Sequence, residues 1–153
     1  MRGIVTAKLL NISERVNLAF HALGYIAAAR GENVSVKRMA ADLKVSQTYL
    51  AKVLQPLAKA GYLRSKRGAK GGFTLAKDPY LITAYDILTL LEGPLPDSSC
   101  LFDHQYCDEA TCVFHEVTAE VRATMEKAFR KITVAELMKN YECRRGPFRE
   151  GEI

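Results

Sequence analysis

Two short amphipathic segments joined by a very tight turn constrain the fold of this chain more than any other feature. Residues 36–43 and 47–57 place apolar side chains at helical spacing, and Ser35 and Ser46 precede them as N-caps. Only two residues separate the last apolar position of the first segment from the second cap. The arrangement is typical of a helix-turn-helix, whose second helix enters the DNA major groove, although a helical hairpin in a bundle has the same pattern.

A short basic hairpin directly after these segments favours the first interpretation. Residues 62–65 and 73–75 are predicted strands, and the Gly-rich sequence KRGAKGG between them is a predicted turn. A hairpin in this position predicts a winged helix. Pro56 predicts a kink or a break in the second helix near Gln55, because proline lacks an N–H group and clashes with the preceding turn.

The charge distribution also indicates binding to a polyanion. Residues 1–80 contain 14 Lys and Arg against 4 Asp and Glu, a net charge of +10, whereas residues 81–153 contain 8 against 13, a net charge of −5. Neutralisation of phosphates by Lys and Arg dominates affinity for nucleic acids. The first half of the chain is therefore predicted to bind DNA.

The predicted DNA contacts lie on the first turn and a half of the second helix and in the hairpin turn. Gln pairs bidentately with adenine, and Thr donates to phosphate or touches a thymine methyl group. Tyr49 fits core packing and phosphate contact equally well. The cations of the wing suit a narrow, A·T-rich minor groove. The predicted set is Ser46, Gln47, Thr48, Tyr49, Lys52, Lys66, Arg67 and Lys70.

The rest of the chain is predicted to be helical. A first helix follows Ser13, and Thr83 with Asp86 forms a capping box for a fourth. A long helix of roughly twenty residues is expected from Cys112 onward, because its apolar residues recur every three or four positions. A short last helix is expected to end at Lys139. The apolar positions of the long helix are Phe114, Val117, Val121, Met125, Ala128 and Ile132.

That apolar stripe needs a covering partner. It packs either within its own chain, against the first helix, or against a second copy. A homodimer is favoured, because helix-turn-helix proteins usually read two half-sites about one helical turn of DNA apart.

The expected organisation is a mostly α fold with a small β-hairpin wing. Residues 1–80 form the winged helix-turn-helix, residues 81–140 the cysteine loop and dimerisation helix, and residues 141–153 a flexible tail. No stretch approaches the roughly 18 consecutive apolar residues of a membrane helix, and the start has no secretory signal, so a cytoplasmic location is expected.

Three cysteines and a histidine form a candidate metal site. Six residues separate Cys100 from Cys107, four separate Cys107 from Cys112, and two separate Cys112 from His115. They lie among acidic residues rather than in an apolar period, which argues against buried, inert thiols, and a reducing cytoplasm disfavours a disulfide. The spacing fits tetrahedral zinc, but the absence of a CxxC pair favours an iron–sulfur cluster.

The ordered motifs together resemble the Rrf2 family of bacterial winged-helix regulators, in its cluster-binding branch. The resemblance covers roughly residues 9–140 and rests on the helix-turn-helix run SVKRMAADLKVSQTYLAKVLQPL, the RG..GG wing, the LEGPL turn and the cysteine loop. It implies a homodimeric repressor in which long helices cross between subunits and the cluster loop lies beside the recognition helix.

The same resemblance implies a ligand set. Cys100, Cys107 and Cys112 correspond to the three cysteine ligands of cluster-binding members. The fourth ligand varies in the family, and His115 matches a histidine ligand while Glu14 matches an acidic ligand reaching across from the partner subunit. We favour His115, because it needs no cross-subunit geometry.

The family's common cysteine spacing is five and five, and the wing has Ala69 and Lys70 where proline and glycine are common. These departures leave open whether the cluster is 2Fe–2S or 4Fe–4S and which signal it senses. Cys143 lies outside the motif and is interpreted as an incidental thiol.

The leading hypothesis is a repressor whose DNA affinity is controlled by an iron–sulfur cluster that senses redox state, nitric oxide or iron–sulfur supply. The alternatives are a zinc-structured or thiol-switch repressor, and a regulator without a cluster that docks an enzyme through its acidic half. An enzyme is not expected, because the sequence has neither a nucleophile–base–acid arrangement nor a phosphate-binding Gly motif.

Overall fold

A computed structural model of the protein describes residues 12–68, 71–95 and 112–142. These residues form six α-helices, a short 3-10 helix and one antiparallel hairpin, so the predicted fold class is confirmed. None of the helices in these three ranges has the length and apolarity to cross a bilayer. The elements are α1 (Glu14–Ala28), α2 (Val36–Leu43), α3 (Gln47–Lys59), β1 (Leu63–Lys66), β2 (Gly72–Leu75), the 3-10 helix (Pro79–Leu81), α4 (Ala84–Glu92), α5 (His115–Lys131) and α6 (Val134–Glu142).

Helix α1 is the element against which most others pack. It begins as predicted, with the side chain of Ser13 accepting a hydrogen bond from the backbone N–H of Val16 at 3.3 Å. Leu23 and Ile26 are buried, and α2, α3, β2, α4 and α6 all contact this helix. The DNA-binding and C-terminal halves therefore share one core.

The predicted helix-turn-helix is confirmed. The side chains of Ser35 and Ser46 accept hydrogen bonds from the N–H groups of Arg38 at 3.2 Å and Tyr49 at 3.1 Å. Between the helices, Lys44 takes the left-handed conformation, with φ 56° and ψ 42°. This left-handed residue ends α2 and allows α3 to start so soon after it.

Helix α3 continues through Pro56, so the expected break near Gln55 is absent. A proline inside a helix costs about 3 kcal/mol. Val53, Leu54 and Leu57 surround it and are at most 1% exposed. Each fully buried side chain of this size contributes about 1.5–3 kcal/mol, so their packing outweighs the cost of the proline.

The wing hairpin is joined to the loop before α2. Val34 and Phe73 exchange two backbone hydrogen bonds of 3.0 and 2.9 Å. A Cβ atom on Gly72 would lie 2.2 Å from the carbonyl oxygen of Val34. Only glycine permits this close approach, which explains the last glycine of the RG..GG motif.

The starts of α4 and α6 are held together. The capping box of Thr83 and Asp86 is present as predicted. Ala84 donates its N–H to Ile132 at 2.8 Å, and Val134 donates to Ile82 at 2.9 Å. Helix α6 extends to Glu142, three residues beyond its predicted end, and packs against α1.

The apolar stripe of α5 is divided between a buried end and an exposed end. Phe129, which was not in the predicted stripe, is the buried residue of this helix, and Met125 packs partly against the core. Val117 and Val121 are 57% and 53% exposed. The helix begins at His115 rather than Cys112 and has 17 residues. The helix that covers α1 is α6 rather than the N-terminal half of α5.

Candidate nucleic-acid interface and sensor segment

The first turn of α3 presents polar side chains to solvent. Gln47 and Thr48 are exposed, as are the cap Ser46 and Lys52 one turn further along. The opposite side of the helix is buried through Leu50 and the apolar residues around Pro56. Helix α3 therefore has one face in the core and one face open to a ligand.

Tyr49 lies at the boundary between these faces. Its side chain is 38% exposed, and its backbone N–H donates to the cap of the helix. The ring is therefore neither a core residue nor a fully solvated one.

The wing presents exposed cations beside a tight turn. Lys66 ends β1 and Arg67 follows it, both exposed. Gly71 donates its N–H to the carbonyl of Gly68 at 2.8 Å, and a Cβ atom on Gly71 would lie 2.6 Å from the carbonyl oxygen of Lys66. The turn is therefore too tight for a larger residue at that position. Lys70 lies outside the described residues.

The base of the wing is hydrogen-bonded to the end of α3. Tyr62 donates its N–H to the carbonyl of Leu57 at 2.9 Å, and the Lys77 ammonium lies 4.3 Å from the centre of its ring. Burial, together with the nearby Asp86 carboxylate, raises the pKa of the Tyr62 phenol. The ring and the ammonium group form a cation–π contact.

The described part of the candidate metal site is Cys112 and the start of α5. His115 is its first residue and donates its backbone N–H to the carbonyl of Cys112 at 3.1 Å. Cys112 is a half-buried free thiol. The Nδ1 atom of His115 is buried and has no hydrogen-bond partner among the described residues.

The other predicted ligands are not brought together in the described ranges. Cys100 and Cys107 lie outside them, and the described residues contain no group of three metal-ligating side chains. Glu14 is the exposed first residue of α1, directly after its cap.

A polar and aromatic network that we did not predict joins α6 to the helix-turn-helix. The Tyr141 hydroxyl lies 2.6 Å from Nδ1 of His21, and its ring packs edge-on against Tyr25, with centroids 5.9 Å apart. The Tyr25 hydroxyl in turn donates to the carboxylate of Asp42 on α2. His21 and Tyr25 are four residues apart on α1, so the sequence already indicated that they lie on the same side of this helix.

A second connection holds the C-terminal end of α5. The Arg130 guanidinium lies 3.9 Å from the centre of the Tyr85 ring and also pairs with Glu126 at 2.7 Å. The rings of Phe20 and Phe129 are 6.1 Å apart. One end of α5 is thus fixed to the DNA-binding half.

Comparison with known proteins agrees with this geometry. The family model described as Rrf2, iron-dependent transcriptional regulator, matches residues 12–140. An Aquifex aeolicus protein of the helix-turn-helix transcriptional-regulator type is 33% identical over 129 residues, covering 82% of this chain and 90% of its own length.

Two solved structures have the same fold. CymR, the global cysteine regulator of Bacillus subtilis, superposes with a TM-score of 0.72 at 28% identity, covering 86% of this chain and 98% of CymR. IscR of T. potens gives a TM-score of 0.65 at 30% identity, covering 90% of this chain and 93% of IscR. These relatives regulate transcription, which confirms the prediction that the chain is not an enzyme. The chain belongs to the Rrf2 family of DNA-binding transcriptional regulators.

Proposed function

We propose that the protein is a homodimeric repressor whose operator affinity depends on an iron–sulfur cluster held by Cys100, Cys107, Cys112 and His115. The observation that carries the cluster is the buried Nδ1 of His115, which has no partner among the described residues and lies three residues after Cys112, across a turn closed by the hydrogen bond between their backbones. The description of the family as iron-dependent and the likeness to IscR support the same conclusion.

The donor set fits such a cluster chemically. Thiolates hold the iron of these clusters, and imidazole replaces a thiolate in some of them. A buried polar atom left unpaired costs about 1–3 kcal/mol, and a metal ion removes that cost. A bound cluster supplies a centre whose oxidation or loss reports oxidants, nitric oxide or iron supply.

His115 is preferred to Glu14 as the fourth ligand. Glu14 is exposed, and an acid in the first turn of a helix is stabilised by the helix dipole without any metal. His115, by contrast, has a buried nitrogen with no described partner.

The contacts of α5 and α6 provide the physical link to DNA. Helix α5 carries His115 at one end and is fixed at the other by Arg130 against Tyr85. Helix α6 follows it and reaches α2 through the Tyr141, Tyr25 and Asp42 contacts. A shift of α5 on ligation changes these contacts and therefore the position of the helix-turn-helix.

The cluster is tested by anaerobic purification followed by visible absorption and iron and sulfide analysis. We expect a coloured protein that contains iron and acid-labile sulfide and loses its colour in air or with a nitric-oxide donor, with a parallel change in DNA affinity. A colourless protein with zinc in place of iron would contradict the proposal.

The likeness to CymR supports a second candidate, a thiol switch without a cluster. In that case the iron-free protein responds to a mild oxidant, and a reducing thiol restores its DNA affinity. The iron and sulfide analysis separates this candidate from the first.

We expect Gln47→Ala to weaken the free energy of operator binding by about 1–3 kcal/mol and to relax base preference at one operator position. The reason is that the exposed amide of Gln47 contacts a base edge. Gln55→Ala is the matched control, since Gln55 is an exposed glutamine two turns further along α3. Binding to an operator selected from random duplexes measures both. Equal effects of the two substitutions would refute the role of Gln47.

Arg67→Ala should act differently from Gln47→Ala. It removes a cation from the wing and should weaken binding to operator and unrelated duplexes of the same A·T content to a similar extent, because the wing contacts phosphates and the narrow minor groove of A·T-rich DNA. Gel shifts at fixed salt on operator and unrelated duplexes check this. A loss confined to the operator would mean that Arg67 reads bases instead.

A further inference from the structure

The register of the wing places a second cation on the same strand face as Lys66. Arg64 and Lys66 are two residues apart on β1, so their side chains leave the same face of the hairpin. Leu63, at the neighbouring position, is buried and points to the core. The outer face, defined here as the side of the hairpin opposite Leu63, therefore carries both cations.

The hairpin supplies nothing to neutralise this pair. Arg64 lies opposite Thr74 and Lys66 lies opposite Gly72, and residues 62–77 contain no Asp or Glu. Both cations are exposed, and within the described ranges neither has a hydrogen bond or an ion pair.

Residues two apart on a strand have Cα atoms about 6.7 Å apart. The two like charges therefore leave the strand side by side and repel each other. A polyanion removes this repulsion, and a guanidinium pairs with phosphate through two parallel hydrogen bonds. We propose that Arg64 is a further phosphate contact, which with Lys66 forms a basic strip along the outer face of the wing. The inference rests on the proposed DNA-binding role of the wing and extends it from the turn to the strand.

The test is the salt dependence of binding to a fluorescein-labelled duplex of mixed sequence, followed by anisotropy. The plot of log K against log salt has a negative slope, and each lost phosphate contact makes that slope shallower by about 0.9. We expect this shallower slope for Arg64→Ala and Arg64→Gln, a normal slope for Arg64→Lys, and the same loss of affinity on operator and unrelated duplexes.

Lys139→Ala is the charge-matched control, because Lys139 is an exposed cation on α6, away from the wing. Its slope should equal that of the unchanged protein. Thermal unfolding of the Arg64 variants should also be unchanged, since the side chain is exposed.

The inference is overturned if both neutral Arg64 variants keep the normal slope while Arg67→Ala has a shallower one. That result leaves the proposed wing contact intact. Unchanged slopes for Arg64 and Arg67 variants alike would remove the wing from the DNA interface.

Discussion

Cys112→Ala is expected to abolish the visible absorption and the iron and sulfide content of anaerobically purified protein. Cys112 lies one turn before the buried Nδ1 of His115, and a missing thiolate leaves the iron with an open position. The DNA affinity of the variant should match that of iron-free unchanged protein and no longer respond to air or nitric oxide.

Three further variants sharpen this result. Cys143→Ala is the matched control, because that thiol lies outside the motif, and it should retain normal iron content. His115→Ala should bind a cluster that is lost faster in air, while Glu14→Gln should behave as the unchanged protein. If Glu14→Gln lost its cluster faster in air and His115→Ala behaved as the unchanged protein, Glu14 would be the fourth ligand. Iron retained by Cys112→Ala would remove Cys112 from the site.

Val121→Asp is expected to convert the protein from a dimer to a monomer. The N-terminal half of α5 and the two residues before it expose an apolar strip of Val113, Phe114, Val117 and Val121, of which Val113 is 83% exposed. A contiguous exposed apolar surface of this kind marks an interface. In a two-fold symmetric dimer the same strip of both protomers lies in the interface, so each substitution removes two buried side chains.

The expected magnitude follows from that symmetry. Burial of a valine side chain contributes about 1.5–3 kcal/mol, so its loss from both protomers weakens the dimer by about 3–6 kcal/mol, or roughly 10²–10⁴-fold. Binding to a two-half-site operator should fall with it, whereas unfolding of the monomer should change little, because Val121 does not pack in its own core.

Ala119→Asp is the matched control, since it adds the same charge to an exposed position on the opposite side of α5. Sedimentation velocity measures both variants. A dimeric Val121→Asp protein, or a monomeric Ala119→Asp protein, would show that the strip is not the interface.

The local features of the fold could be predicted because their physics is local. The N-caps at Ser13, Ser35 and Ser46 each bind an N–H group three residues ahead, so residue type and spacing suffice to find them. The capping box of Thr83 and Asp86 follows the same rule. The wing was predictable from its glycines and its charge pattern.

Other features depend on contacts between distant segments. Pro56 favours a break locally, yet α3 is continuous because its apolar side is buried in the shared core. His21 and Tyr141 are 120 residues apart, and only the packing of α6 on α1 brings them within hydrogen-bond distance. No spacing rule relates two such positions.

The candidate sites divide in the same way. The amino-acid sequence by itself determined the helix-turn-helix, the basic wing and the identity of the candidate ligands, because helical period, capping and donor chemistry are properties of neighbouring residues. Only the tertiary structure decided that Phe129 is covered while Val117 and Val121 are exposed, and that Nδ1 of His115 is buried. Burial depends on which segments meet in space, and helical period alone does not specify that.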